Sequence, residues 1–119
     1  MSLASLESNS DRLVDFASEV IRMVEKIPAK TTVKKLSDQL VRRSTSVGAN
    51  YEEVQGAESK ADFVHKFQIA LKEIREAHYW LRVVEKSMPS LQLHPLIDEA
   101  RQIRAILSKS VATAKGTAK

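Results

Sequence analysis

Cysteine is absent from this chain, and that single absence removes several chemistries. No disulfide can staple the fold, no zinc site can rest on thiolates, and there is no cysteine nucleophile. Glycine and proline are scarce, at three each in 119 residues. Three glycines can hardly build a Gly-rich phosphate loop, and no nucleophile elbow is present, so no reaction is expected of the chain. Aromatic residues make up 5%, which leaves few rings for stacking on bases. Long apolar runs are missing as well, so a membrane span is not expected. The opening MSLASLESNSDRLVDF has no basic segment followed by an apolar one, so no secretory signal is expected and the reading is cytoplasmic. His65, His78 and His94 are scattered, and only Asp62 stands three residues before a histidine. The Glu-x-x-His pairs of di-iron bundles are therefore lacking, and neither a metal nor a cofactor is expected.

What remains is a helical pattern. Leu13, Phe16, Ala17, Val20, Ile21, Val24 and Ile27 mark one face of a first helix over 10–27, with Ser10 as its N-cap and Pro28 as its stop. A second helix is expected over 32–55. It contains Gly48, which a close helix–helix approach would explain, and it ends at Gly56. Ser59 with Asp62 resembles a capping box for a third helix over 59–87, whose main apolar line is Phe63, Phe67, Ala70, Ile74, Ala77 and Leu81. After Met88-Pro89-Ser90, Pro95 suits the first turn of a fourth helix over 95–111, with 112–119 expected to fray. Short connections make consecutive helices antiparallel neighbours. The expected fold is all-α, one domain, an up-down-up-down four-helix bundle.

Three surface features ask for an explanation beyond the core. Gln39, Arg43, Ser46, Asn50 and Glu53 fall within an arc of about 80° beside the apolar line Val33, Leu36, Leu40, Val47, Tyr51 and Val54. Polar groups at that margin are expected to form a structural hydrogen-bonded network between helices or subunits; the alternatives are a solvated flank or a ligand site. Ile69, Trp80 and Val84 form a second apolar line on helix three, read as a subunit interface against the alternative of burial within the same bundle. The 19 basic and 15 acidic residues give a net charge of +4. Seven of the basic residues lie between Arg22 and Arg43, with only Glu25 and Asp38 against them, and five lie in 101–119 with no acid. Lys34, Lys35, Arg42, Arg43, Arg101 and Arg104 are the candidate phosphate contacts, the alternative being an ordinary solvated surface.

With these residues in view, the chain resembles the four-helix-bundle family of 23S rRNA intervening-sequence proteins. The likeness rests on Gln39-Leu40, Arg42, Ser46-Val47, Asn50 and Glu53, then on Ala57 to Phe63, Ile69 to Glu73 and Tyr79-Trp80-Leu81. Position 43 departs, with Arg43 where many relatives carry serine. The resemblance implies a left-handed bundle assembled as a homopentamer. It also implies a link to RNA, and to the accessory variability determinants of diversity-generating retroelements, which associate with nucleic acid and a reverse transcriptase. The expected function is a non-enzymatic, oligomeric nucleic-acid or ribonucleoprotein accessory protein binding RNA or DNA. The alternative is a protein-interaction scaffold that binds neither.

Overall fold

Pro28, Gly56 and Pro89 cut the chain into four stretches, and each is a helix in the computed structural model, which describes residues 3–116. α1 spans Leu3–Val24, α2 Thr32–Glu52, α3 Lys60–Ser87 and α4 His94–Ala114. Single 3₁₀ turns at Glu53–Gly56 and Pro89–Leu91 follow α2 and α3. No strand occurs among the described residues.

The ends of the helices follow local chemistry. Thr31 Oγ1 accepts the Lys34 backbone N–H at 3.1 Å and opens α2. Ser59 Oγ accepts the Asp62 N–H at 3.0 Å and opens α3. The Asp62 carboxylate in turn accepts the Glu58 N–H and an ammonium hydrogen bond from Lys66. Lys66 first, and the Glu58 backbone second, hold that carboxyl below the ordinary aspartate range. The expected capping box is therefore present, displaced by one residue on its return contact. Pro95 sits in the first turn of α4, where its missing N–H costs no hydrogen bond.

Four boundaries differ from the sequence reading. α1 begins by Leu3 rather than Ser10, because nothing in that stretch breaks a helix and Leu6 packs against the core. Ser10 is therefore no cap. Its hydroxyl donates to the Glu52 carboxylate, while Asn9 Nδ2 donates to the Tyr51 hydroxyl at 3.2 Å. α1 ends at Val24 because Pro28 disfavours helical backbone just before it, and Ile27 stays buried as an anchor beyond the helix. α2 tightens into the 3₁₀ turn after Glu52 instead of running on to Gln55. α4 stays helical through Ala114, past the expected fraying point, and residues 117–119 lie outside the described range.

α2 and α3 share the most extensive packing, followed by α3 with α4, α1 with α2, and α1 with α4. Each helix thus touches its neighbours in chain order and the ring closes on itself, leaving α2 and α4 across the diagonal. The bundle measures 46 × 25 × 22 Å. Phe16 and Val20 of α1, Leu40, Val47 and Tyr51 of α2, Phe67, Ile74 and Leu81 of α3, and Ile103 and Leu107 of α4 are all buried. Each such side chain contributes about 1.5–3 kcal/mol by leaving water. Tyr51 and Phe67 meet edge-to-face at 5.8 Å, across α2 and α3.

Gly48 is where α1 and α2 approach. A methyl group placed there would meet Leu13 Cβ at 3.5 Å, an ordinary van der Waals contact. The helix therefore bears the cost of a mid-helix glycine without a steric need for it. Gly48→Ala should raise the melting temperature, by an amount corresponding to roughly 0.5–1 kcal/mol. A lower melting temperature would show that α1 and α2 cannot accept the extra carbon.

Candidate nucleic-acid interface

The basic residues expected to act together are separated by the fold. Lys34, Lys35, Arg42 and Arg43 are on α2, and Arg101 and Arg104 are on α4, across the diagonal from one another. Two of the α2 cations also have structural partners. Lys34 Nζ donates to the Val24 carbonyl at 2.8 Å, a cation placed on the C-terminal carbonyls of α1. Arg43 is held by α3: its Nη1 lies 3.2 Å from Glu73 Oε2 and its Nε 2.7 Å from Glu76 Oε2. The Nε–H is not well aimed at that oxygen, so charge rather than a formed hydrogen bond supplies the second attraction. Lys35 and Arg42 remain exposed.

The expected polar network contracts accordingly. Gln39 is exposed, and Glu53 is exposed on the 3₁₀ turn beyond α2, off the helical stripe. Ser46 Oγ donates to the Arg42 carbonyl at 2.7 Å, and Asn50 Nδ2 to the Ser46 carbonyl at 2.8 Å, both within α2. Among the described residues, Arg43 is the member of the stripe that forms a hydrogen bond or ion pair with another helix. The interface line needs a correction too. Val84 is 1% exposed and lies in the core of the single chain, because it stands three residues after Leu81 and seven after Ala77 and so shares their buried face. Ile69 and Trp80 are half-buried, and Trp80 packs against the core. The three do not form one outward patch.

A different basic surface emerges on α3 and α4. Lys72, Arg75, Tyr79, Arg82 and Lys86 follow steps of three and four on α3, within an arc of about 80°, and all five are exposed. A shallow groove of about 450 Å³ between α3 and α4 is lined by Lys72 and Arg75 on one side and Lys115 on the other. Further along the same seam, Arg82 of α3 and Arg101 and Arg104 of α4 surround His78. Arg101 has a loose pair with Asp98 at 3.5 Å; among the described residues Lys72, Arg75, Arg82, Lys86, Arg104 and Lys115 form no ion pair with a carboxylate. The three-and-four spacing from Lys72 to Lys86 was readable in the sequence by the rule applied to α2. Arg101 and Arg104 were named from the sequence too, but grouped with the cations of α2; that they face Arg82 and His78 depends on how α3 and α4 pack.

His78 registers that field. Arg104 Nη1 lies 3.4 Å from His78 Nδ1, which suits a guanidinium N–H donating to a neutral imidazole. Partial burial, then the charges of Arg104, Arg82 and Arg101, hold its pKa below the ordinary histidine value of 6.5. Among the described residues no group of three or more His, Asp or Glu stands close enough to hold a metal ion, and no helix is long and apolar enough to cross a membrane.

The family model described as 23S rRNA-intervening sequence protein matches residues 10–109. The chain belongs to that family. Among solved structures, a protein of unknown function from the S23 ribosomal protein family of Bacteroides thetaiotaomicron is similar, with a TM-score of 0.76 and 28% identity. That similarity covers 89% of this chain and 96% of the other. No curated protein matches the chain. The matched range takes in part or all of every helix of the bundle, the Arg43 cluster and nearly all of the α3–α4 seam; of the basic residues named on that seam, Lys115 lies beyond it.

Two outcomes test this geometry. Arg43→Met should lower stability by about 2 kcal/mol, because Glu73 keeps only 11% side-chain exposure and would lose its charged partner. Adding Glu73→Gln should recover most of that loss in thermal melts; a double variant as unstable as the single one would exclude the pairing. In an NMR titration His78 should take its proton below pH 6.5. The unfolded chain then binds a proton that the folded chain refuses, so this residue's contribution to stability falls as pH drops below about 6.5. Titration of His78 at or above 6.5 would contradict the arginine cluster.

Proposed function

We propose that this protein is a non-enzymatic helical bundle that binds nucleic-acid phosphate along the seam of α3 and α4, as part of an assembly of several copies. The observation that carries the reading is the row of cations over that seam without carboxylate partners. Arginine and lysine left unneutralised on one face form the electrostatic footprint of a polyanion site. Membership in a family described by an intervening sequence of 23S rRNA favours RNA as that polyanion. The other side of the bundle is unsuited to it. Glu7, Asp11, Asp15 and Glu19 repeat at four-residue steps along α1, and among the described residues none of them forms an ion pair. A polyanion would be steered away from α1 and toward α3 and α4.

Binding of this kind is salt-dependent, because each neutralised phosphate releases counterions. Affinity for generic RNA should fall steeply between roughly 50 and 200 mM salt. Arg75→Glu with Arg82→Glu should weaken binding to all sequences alike and flatten that salt dependence. Lys35→Glu with Arg42→Glu, reversing the same number of charges on α2, should do much less. Equal losses from the two pairs would mean that only net charge matters. Five copies at +4 each, the assembly implied by resemblance to pentameric relatives, would carry a net charge of about +20.

A second reading, a protein-interaction scaffold, is favoured by a separate surface. Val14 and Ile21 on α1 are 59% and 41% exposed. They flank a shallow groove floored by Ala17, Gly48 and Ala49 between α1 and α2. In this reading a second copy of the chain covers that groove, and assembly rather than nucleic acid is the protein's business. Light scattering should give a mass above the 13.3 kDa of one chain at micromolar concentration. Val14→Glu with Ile21→Glu should reduce it. A wild-type monomer would remove the assembly from both readings.

A further inference from the structure

Tyr79 is the one exposed aromatic ring among the described residues. It is 56% exposed, and it occupies the middle of the basic stripe rather than the edge of an apolar patch. Arg75 lies one turn before it and Arg82 nearly one turn after, with Lys72 and Lys86 beyond them on the same face. The ring is braced from one side: Tyr79 and Trp80 meet edge-on, with centroids 5.3 Å apart and planes at 77°. A braced aromatic face between two guanidinium groups is suited to one kind of contact. A base can stack on the ring while the phosphates on either side of it meet the arginines.

We propose that Tyr79 is a base-stacking platform that makes the α3–α4 seam selective for single-stranded over double-stranded nucleic acid. This rests on the phosphate-binding reading above and adds a discrimination that charge alone does not supply. Cations hold single strands and duplexes through the same phosphates. Only an unpaired strand can turn a base face outward, since the faces within a duplex are already stacked on one another. A duplex laid on this stripe would gain the cations and leave the tyrosine ring unused. Because every base has such a face, the selectivity is for strandedness and not for sequence.

The test uses the full chain, a short fluorescently labelled RNA of mixed sequence, and the same RNA annealed to its complement, compared by anisotropy at one salt concentration. The single strand should bind about ten-fold more tightly. Tyr79→Ala should erase that difference while leaving duplex affinity and the slope of affinity with salt unchanged, and Tyr79→Phe should preserve it. The chain's one tryptophan lies against the ring, so emission from Trp80 should change on adding the single strand and not the duplex. Equal wild-type affinity for both forms would overturn the proposal while leaving the phosphate-binding reading intact. So would a Tyr79→Ala variant that weakens both forms alike, or one that binds RNA normally but has a lower mass by light scattering, which would place Tyr79 between copies of the chain. Absence of binding to either form would overturn the phosphate-binding reading and this proposal with it.

Discussion

Arg43 of α2 holds Glu73 and Glu76 against the flank of α3, and the sign of the remaining surface follows from that pairing. The two glutamates are the acids of α3's middle, and helical spacing sets them about 100° or more round the axis from Arg75 and Arg82, on the flank that meets α2. Drawn toward α2, they neutralise a cation there and leave the outward face of α3 basic. α3 is thereby divided into three: an apolar face in the core, an acidic flank joined to α2, and a basic face that continues onto α4 through Arg101 and Arg104. Because Glu73 is largely buried, the division is enforced by desolvation as well as by attraction. Its carboxylate has few water contacts to fall back on.

The helices were largely legible because their signals are local. Thr31, Ser59 and Pro95 open helices, and Pro28 closes one, through contacts made within a few residues. The core was legible for the same reason, since a spacing of three and four leaves little freedom in which side is buried. Reading failed where a side chain stood between two faces or had a choice of partners. Val84 was grouped with Ile69 and Trp80, yet it stands three residues after Leu81 and continues the main apolar line into the core. Ser46 and Asn50 looked like network members, but a helix offers each a carbonyl of its own, which is nearer than any neighbour. Lys34 counted as free charge in the sequence and is held at the Val24 carbonyl; Arg43, named both as a phosphate contact and as a network member, is held by Glu73 and Glu76. The basic stripe of α3 could have been found from spacing alone; which side chains of α4 meet it required the packing of the two helices.

Family membership and fold set the frame for function without choosing a partner. The surface narrows the choice, because its two sides differ in sign: a row of acids along α1 and a row of cations over α3 and α4. Such a molecule presents a preferred side to a polyanion, and an assembly that covers α1 against other copies would leave the cationic sides outward. The apolar groove beside Val14 and Ile21 lies on the acidic side, so assembly and nucleic-acid binding need not compete for one surface.

The central claim is that the working surface is the α3–α4 seam and not the basic stretch of α2 that dominates the sequence. Mapping the arginine and lysine side-chain NMR signals of the wild-type protein during addition of RNA tests it most directly. The account predicts that signals of Arg75, Arg82, Arg101 and Arg104 shift, while those of Lys34, Lys35 and Arg42 stay in place. Shifts concentrated on α2, with the seam unmoved, would contradict it.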